Sequence, residues 1–207
     1  KAGTAIAVPV ALIPDRDIPP PEAKGLVGDR KTENELSPIE IAARLTTLRR
    51  DVGDPVDAFI ADSWTLEFDL ALRPELAESV YQAVQLAKTA SRKPEWLAKI
   101  VAKASETYAE WKEEGLTATQ IAVKIYQHIH DKEASKAEVA EQLAAILRKR
   151  NDTPEQMRDR LPPYLVRAID YVTGGYVPGA PATVAEPEAE NDEVAVAGAH
   201  GATAAEA

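Results

Sequence analysis

Apolar and polar positions divide the 207-residue chain into a short α/β part, a longer helical part and a polar tail. Residues 5–13 (AIAVPVALI) form a short apolar run closed by Pro14, which predicts a buried strand. Residues 14–38 read as a long polar connection, with prolines at 19–21 and glycines at 25 and 28. Residues 38–50 repeat apolar side chains at helical spacing through Ile41, Leu45 and Leu48. Ser37 is the expected N-cap, with Pro38 at the first helical position, Glu40 at the third, and Gly53 as the stop. Residues 56–61 (VDAFIA) predict a second strand, and the strand–helix–strand order predicts parallel pairing.

The remainder predicts helices. Residues 74–90 carry Leu76, Val80, Val84 and Ala87 on one face. Residues 94–114 carry Leu97, Ile100, Val101, Ala104, Tyr108 and Trp111. Thr117 or Thr119 caps a helix with Ile121, Ile125 and Ile129, and Ser135 or Lys136 begins another with Val139, Leu143, Ile146 and Leu147. A short last helix covers about 163–173, before Gly174 and Gly175. These stripes predict core packing. From about residue 178 the chain is dominated by Ala, Gly, Val, Pro and Glu, without an aromatic residue, and this composition predicts disorder.

Charge changes the picture through its placement. The net charge is −10, but residues 178–207 hold six acidic residues and no Lys or Arg, so the body carries only −4. The overall acidity therefore says little against nucleic-acid binding by the body. The chain has no cysteine, which excludes disulfides and thiolate metal sites and fits a cytoplasmic protein. No apolar run approaches the roughly 18–20 residues that span a bilayer, so no membrane partner is expected. The first strand starts almost at Lys1, which suggests a fragment of a longer protein.

The candidate chemistry lies at the ends of the two strands. Asp15 and Asp17 follow the first, and ligands of open α/β sheets bind at the carboxyl ends of strands. Two hard oxygen ligands there suit Mg²⁺ or Mn²⁺, whereas the plainer reading is a cap or an acidic turn. Glu67, with Thr65, stands after the second strand in WTLEFDLA (64–71). Phosphoryl transfer by two metals needs several carboxylates holding ions about 3.5–4 Å apart, and two neighbouring strand ends are compatible with that requirement.

The run VPVALIPDRDIPP, then KTENE, a helix, VDAFIADSWTLEFDLAL and a helical region, resembles the Toprim domain of overcoming-lysogenization-defect (OLD) family nucleases. By motif the resemblance covers residues 5–72. Through about 175 it rests on helical character and SKAEVA (135–140). It implies metal-binding roles for Asp15 and Asp17, and for Glu67 and, less directly, Thr65. It makes Lys136 the lysine that assists cleavage by neutralising charge at the phosphate; its plainer reading is a solvated first-turn lysine. The implied activity is two-metal hydrolysis of DNA phosphodiesters with Mg²⁺ or Mn²⁺ as cofactor. ATP would act only through a missing domain, since the chain has no phosphate loop. A homo-oligomer is implied for the complete protein. The family's glutamate-bearing strand before Asp-x-Asp has no room in residues 1–7, so an incomplete metal site is expected.

The expected fold class is therefore α/β: an N-terminally incomplete, Toprim-like parallel-sheet unit over 1–73, an α-helical region over 74–177 and a disordered acidic tail over 178–207. Arg148, Lys149 and Arg150, with Arg158, Arg160 and Arg167 nearby, form the densest basic stretch and the candidate DNA contact; a solvated helix end explains residues 148–150 equally well. A haloacid-dehalogenase-type phosphotransferase also has Asp-x-Asp after a strand, but Ile18-Pro19-Pro20 replaces the usual following Thr or Val. His128 and His130 face different sides of a helix and do not make a metal site. No Gly-x-Ser-x-Gly elbow is present. The non-enzymatic alternative is a helical oligomerisation or interaction module whose acidic pairs serve only as caps.

Overall fold

A computed structural model describes residues 8–50, 52–89 and 93–175. The expected acidic tail, and residues 5–7 of the expected first strand, lie outside the described residues. Strand β1 (Val10–Leu12) pairs in parallel with β2 (Val56–Ala58), with Val10 opposite Val56, Ala11 opposite Asp57 and Leu12 opposite Ala58. The expected parallel α/β unit is present in this form, a two-stranded sheet among the described residues.

The expectation that the first strand is buried is overturned. Val10 is 43% exposed and Leu12 40%, and Val8 and Ile13 are also exposed. Helix α9 (Pro163–Thr173) packs on β1, and a small cluster of Phe59, Ala61, Tyr164 and Ala168 forms beneath the sheet end with Ala11 packed against it. The other side chains of β1 face outward. An apolar run identifies a strand, but in a two-stranded sheet one layer covers only one face.

The connection after β1 is built rather than loose. It holds a 3₁₀ turn at Pro21–Ala23, the short helix α1 (Lys24–Val27) and a second 3₁₀ turn at Glu33–Glu35. Thr32, almost fully buried, anchors this second turn through a reciprocal capping box with Glu35. Helix α2 (Pro38–Leu48) begins as its sequence dictates, with the Ser37 side chain accepting from the Glu40 amide and Pro38 in the first turn. It ends earlier than expected, with Arg49 as its C-cap; Gly53 instead bridges to Val56. Ile41, Leu45 and Leu48 form its inner side but are only partly buried.

The stretch after β2 is also helical. Thr65 caps α3 (Leu66–Leu72) by accepting from the Phe68 amide at 3.3 Å. Helix α4 (Pro74–Ala87) follows and is the centre of the molecule, with eight buried residues. Around it pack α3, α5 (Pro94–Glu113), α6 (Ala118–His130) and α7 (Lys136–Lys149). The expected stripes of α4, α6 and α7 lie in this core. The short α8 (Pro154–Arg160), capped by Thr153, has no apolar stripe to announce it in the sequence. Gly174 ends α9 in the left-handed conformation, at φ 80°.

One continuous core contains Ala23, Val27, Trp64, Phe68 and Ala71 together with residues of α4, α5, α6 and α7, so packing runs without a break across residue 73. Trp64 lies 4.5 Å from Tyr126 and 5.5 Å from Phe68, ring centre to ring centre. This aromatic knot fixes the start of α3 against α6. Among the described residues no helix is long and apolar enough to cross a membrane.

Candidate functional site

Main-chain pairing continues beyond the two strands and builds the site. Phe59 N donates to Leu12 O, Ala61 N to Pro14 O, and Asp17 N to Trp64 O at 2.8 Å. The chain after β1 therefore runs alongside the chain after β2, and Asp15 is delivered to the first turn of α3. Its Oδ1 accepts from the Leu66 amide at 3.0 Å. A carboxylate at a helix N-terminus is favoured both by the free amides and by the helix dipole.

Helix α7 closes the site from the other side. Ser135 caps it and places Lys136 at its first position. Lys136 Nζ lies 2.9 Å from Glu67 Oε2 and 3.4 Å from Asp15 Oδ2. Residues 15, 67 and 136 thus meet around one ammonium. Glu67 Oε2 is buried, and its charge is answered by the Lys136 ammonium at 2.9 Å. Partial burial disfavours the Lys136 ammonium, but the hydrogen bond and charge of Glu67, with Asp15, outweigh this, and the pKa of Lys136 is raised.

Asp15 and Asp17 do not converge. Asp17 has φ 59°, and this left-handed turn sends its carboxylate to the other side, where Arg30 takes Oδ1 at 2.8 Å and Arg44 takes Oδ2 at 2.5 Å. Arg44 Nε also donates to Arg16 O, and Arg16 reaches Asp62 O and Glu33. The Asp-x-Asp turn is consequently pinned by three arginines, to which the sequence pattern assigns no role. Arg16 is visible as the residue between the aspartates; Arg30 and Arg44 carry no local signal of a contact with residue 17.

Thr65, the other expected ligand, is almost fully buried and works as the cap of α3. Tyr126 stands behind it; burial raises the Tyr126 pKa, and a hydrogen bond with Thr65 partly opposes the rise. Asp69 is a further residue of this region that the sequence pattern does not single out. It is 3% exposed and accepts from the Ser63 and Trp64 amides at 3.2 and 3.3 Å, holding the turn that leads into α3. Burial pushes its pKa up to about 6, although those amides favour the charged form. The Tyr164 hydroxyl is buried without a hydrogen-bond partner among the described residues, and burial together with the fields of Asp69 and Asp62 raises its pKa.

The expected basic contact divides in two. Arg148 and Lys149 are exposed at the end of α7. Arg150 is engaged inside the protein, donating to Glu75 O and Ser79 Oγ and pairing with Asp152. Arg158 pairs with Asp170, and Arg160 with Asp152.

An ammonium bridging two carboxylates marks a cation position. The oxygens of Asp15 and Glu67 around Lys136 fit one divalent ion if the lysine swings aside, because both are hard oxygen donors and one is already buried. They do not supply a second ion, since both oxygens of Asp17 are held by arginines. Among the described residues no three His, Cys, Asp or Glu side chains come together as a ready-made metal cluster. No family model, curated protein or solved structure matches the chain.

Proposed function

We propose that the chain is part of a divalent-metal-dependent DNA endonuclease of the Toprim type, acting on phosphodiesters. The single observation that carries this reading is the meeting of Asp15, Glu67 and Lys136, which stand 121 positions apart at the extremes, on one cation position at the strand ends. These are three of the four residues to which the OLD-family resemblance gives catalytic roles. Asp15 and Glu67 would hold a Mg²⁺ or Mn²⁺ ion, which when bound supplies an activated water and charge stabilisation. Lys136, displaced from its carboxylates, would turn its ammonium to the scissile phosphate and offset the charge that develops there. Asp17 would join a second ion only by exchanging Arg30 and Arg44 for it. Arg148 and Lys149, exposed at the far end of α7, would meet the DNA backbone. A larger ATP-linked nuclease, a homo-oligomeric state and a cytoplasmic setting belong to the same reading.

The test is metal-dependent nicking or linearisation of supercoiled plasmid by the complete protein. Glu67→Gln and Lys136→Met are each expected to lower the rate about 100-fold or more. Unchanged cleavage in both variants, with folding retained, would remove the site from the reaction.

A second reading is favoured by the outward apolar residues of α9, of β1 and of the segment just before it. Val8, Val10, Leu12, Ile169 and Val172 are all exposed, which suits an interaction module. A chain that self-associates but shows no metal-dependent cleavage in the complete protein would favour it.

A further inference from the structure

A cavity of about 540 Å³ opens beside the acidic turn, with Arg16 of that turn in its lining. The chain leaving β2, residues 58–62, lines it, so it lies at the carboxyl end of the sheet, where open α/β proteins place ligands. Arg49 at the end of α2, Arg167 on α9 and Arg16 all line it. Arg16 is occupied by Glu33 and Asp62 O. Neither Arg49 nor Arg167 makes a side-chain hydrogen bond or ion pair among the described residues, although the charge of Arg167 reaches Asp62. Two guanidinium groups are thus left on one cavity with their donors unused.

The opposite charge is present as well. Asp57 and Asp62 line the same cavity, and Leu45 gives it an apolar wall. A simple anion would use the arginines and meet the carboxylates unfavourably. A ligand with a phosphate at one end and hydrogen-bond donors at the other satisfies both. Guanidinium forks match phosphate oxygens, and carboxylates accept from ribose hydroxyls or from the exocyclic amino group of a base. The volume suits one such unit, within the roughly 300–1,000 Å³ of small-ligand sites.

We propose that this cavity binds one nucleotide, with Arg49 and Arg167 on the phosphate and Asp57 or Asp62 on the base or sugar. The nucleotide is either free or one residue of a nucleic-acid strand. The site shares the Asp15–Asp17 turn with the candidate metal position but uses none of its ligands, so it does not depend on the nuclease reading.

The test uses the full 207-residue chain in EDTA, which removes any contribution from a cation at Asp15 and Glu67. Two probes are titrated, AMP by calorimetry and a fluorescein-labelled oligodeoxyadenylate of roughly 12 nucleotides by anisotropy. At least one is expected to bind saturably. Arg49→Gln combined with Arg167→Gln should weaken it about tenfold or more, and the salt dependence of strand binding should flatten by about 0.7 for each phosphate no longer neutralised. The Arg49→Lys, Arg167→Lys pair keeps the charge and should recover much of that slope. Lys99→Gln with Lys103→Gln removes two charges from α5 and should change nothing. Binding of AMP that competes with the strand identifies a free nucleotide as the source; binding of the strand alone identifies a strand residue. Absence of saturable binding by both probes to about 1 mM, or equal binding by wild type and the Arg→Gln pair, overturns the proposal. Because cleavage is not the readout, loss of the nuclease reading leaves this result interpretable.

Discussion

Asp69 is a carboxylate held in the wrong solvent for its charge, and this has a measurable consequence. It is 3% exposed, and burial raises its pKa from the ordinary 3.8 to about 6, against two backbone amides that favour the ionised form. The folded protein therefore holds a proton that the unfolded chain has already released between those values. Stability from this group is fully present below about pH 3.8 and is lost as pH rises to about 6. At 1.36 kcal/mol per tenfold, the loss is roughly 3 kcal/mol by pH 7. Asp69→Asn removes the charge while keeping an oxygen that accepts from one of the two amides of the turn. Losing the second, weaker acceptor costs about 1 kcal/mol. The variant is then expected to be about 2 kcal/mol more stable than wild type at pH 7.5 and about 1 kcal/mol less stable near pH 4. Urea unfolding followed by circular dichroism across this range gives the comparison. A wild-type minus variant difference that stays constant from pH 4 to 7.5 would refute the reasoning.

Three further outcomes are expected. Tyr164→Phe removes a buried hydroxyl that has no partner among the described residues, so its stability should be unchanged or higher by up to about 1 kcal/mol in urea; a loss above about 1 kcal/mol would reveal a hydrogen bond there. Lys136→Met leaves the buried Glu67 oxygen without its cation and should cost about 1–2 kcal/mol at pH 7, less than a fully buried pair because half of the lysine side chain is exposed; adding Glu67→Gln, which removes the unpaired charge, should recover most of that loss and checks the cause. Trp64→Ala opens the knot between α3 and α6 and should cost about 3–5 kcal/mol by chemical denaturation, whereas Ile39→Ala, at an exposed site, should cost less than about 0.5 kcal/mol.

Local chemistry made much of this fold legible. The Ser37, Pro38 and Glu40 signature set the start of α2, and Gly174 the end of α9, because caps and stops act within one turn. The helical stripes of α4, α6 and α7 pointed to the core for the same reason: one face had to be buried. What failed depends on distant partners. Whether β1 is covered is decided by how many layers meet it, and its own residues do not encode that. The WTLEFDLA segment mixes anchors and acids, and its helical state rests on Thr65 as a cap and on burial of Trp64 and Phe68 against α6. In the site, Asp15, Glu67 and Lys136 stand out separately in the sequence, and the fold joins them. Asp17 pairs with Asp15 in the sequence because they are near neighbours; a left-handed backbone at residue 17 separates them, and the arginines that claim it come from 13 and 27 positions away. Arg150 looks like its neighbours Arg148 and Lys149 in the sequence, yet it faces Glu75 and Ser79 on α4.

The central proposal is that Asp15 and Glu67, which pair with Lys136, can hold a divalent cation in its place. Calorimetric titration of Mn²⁺ into the 207-residue chain tests it most directly, with Lys136→Met and Glu67→Gln as companions. The account expects weak binding of one ion, tightened about tenfold or more when the competing ammonium is removed, and abolished by Glu67→Gln. Tight binding of two ions by the wild-type chain, or binding indifferent to both substitutions, would contradict it.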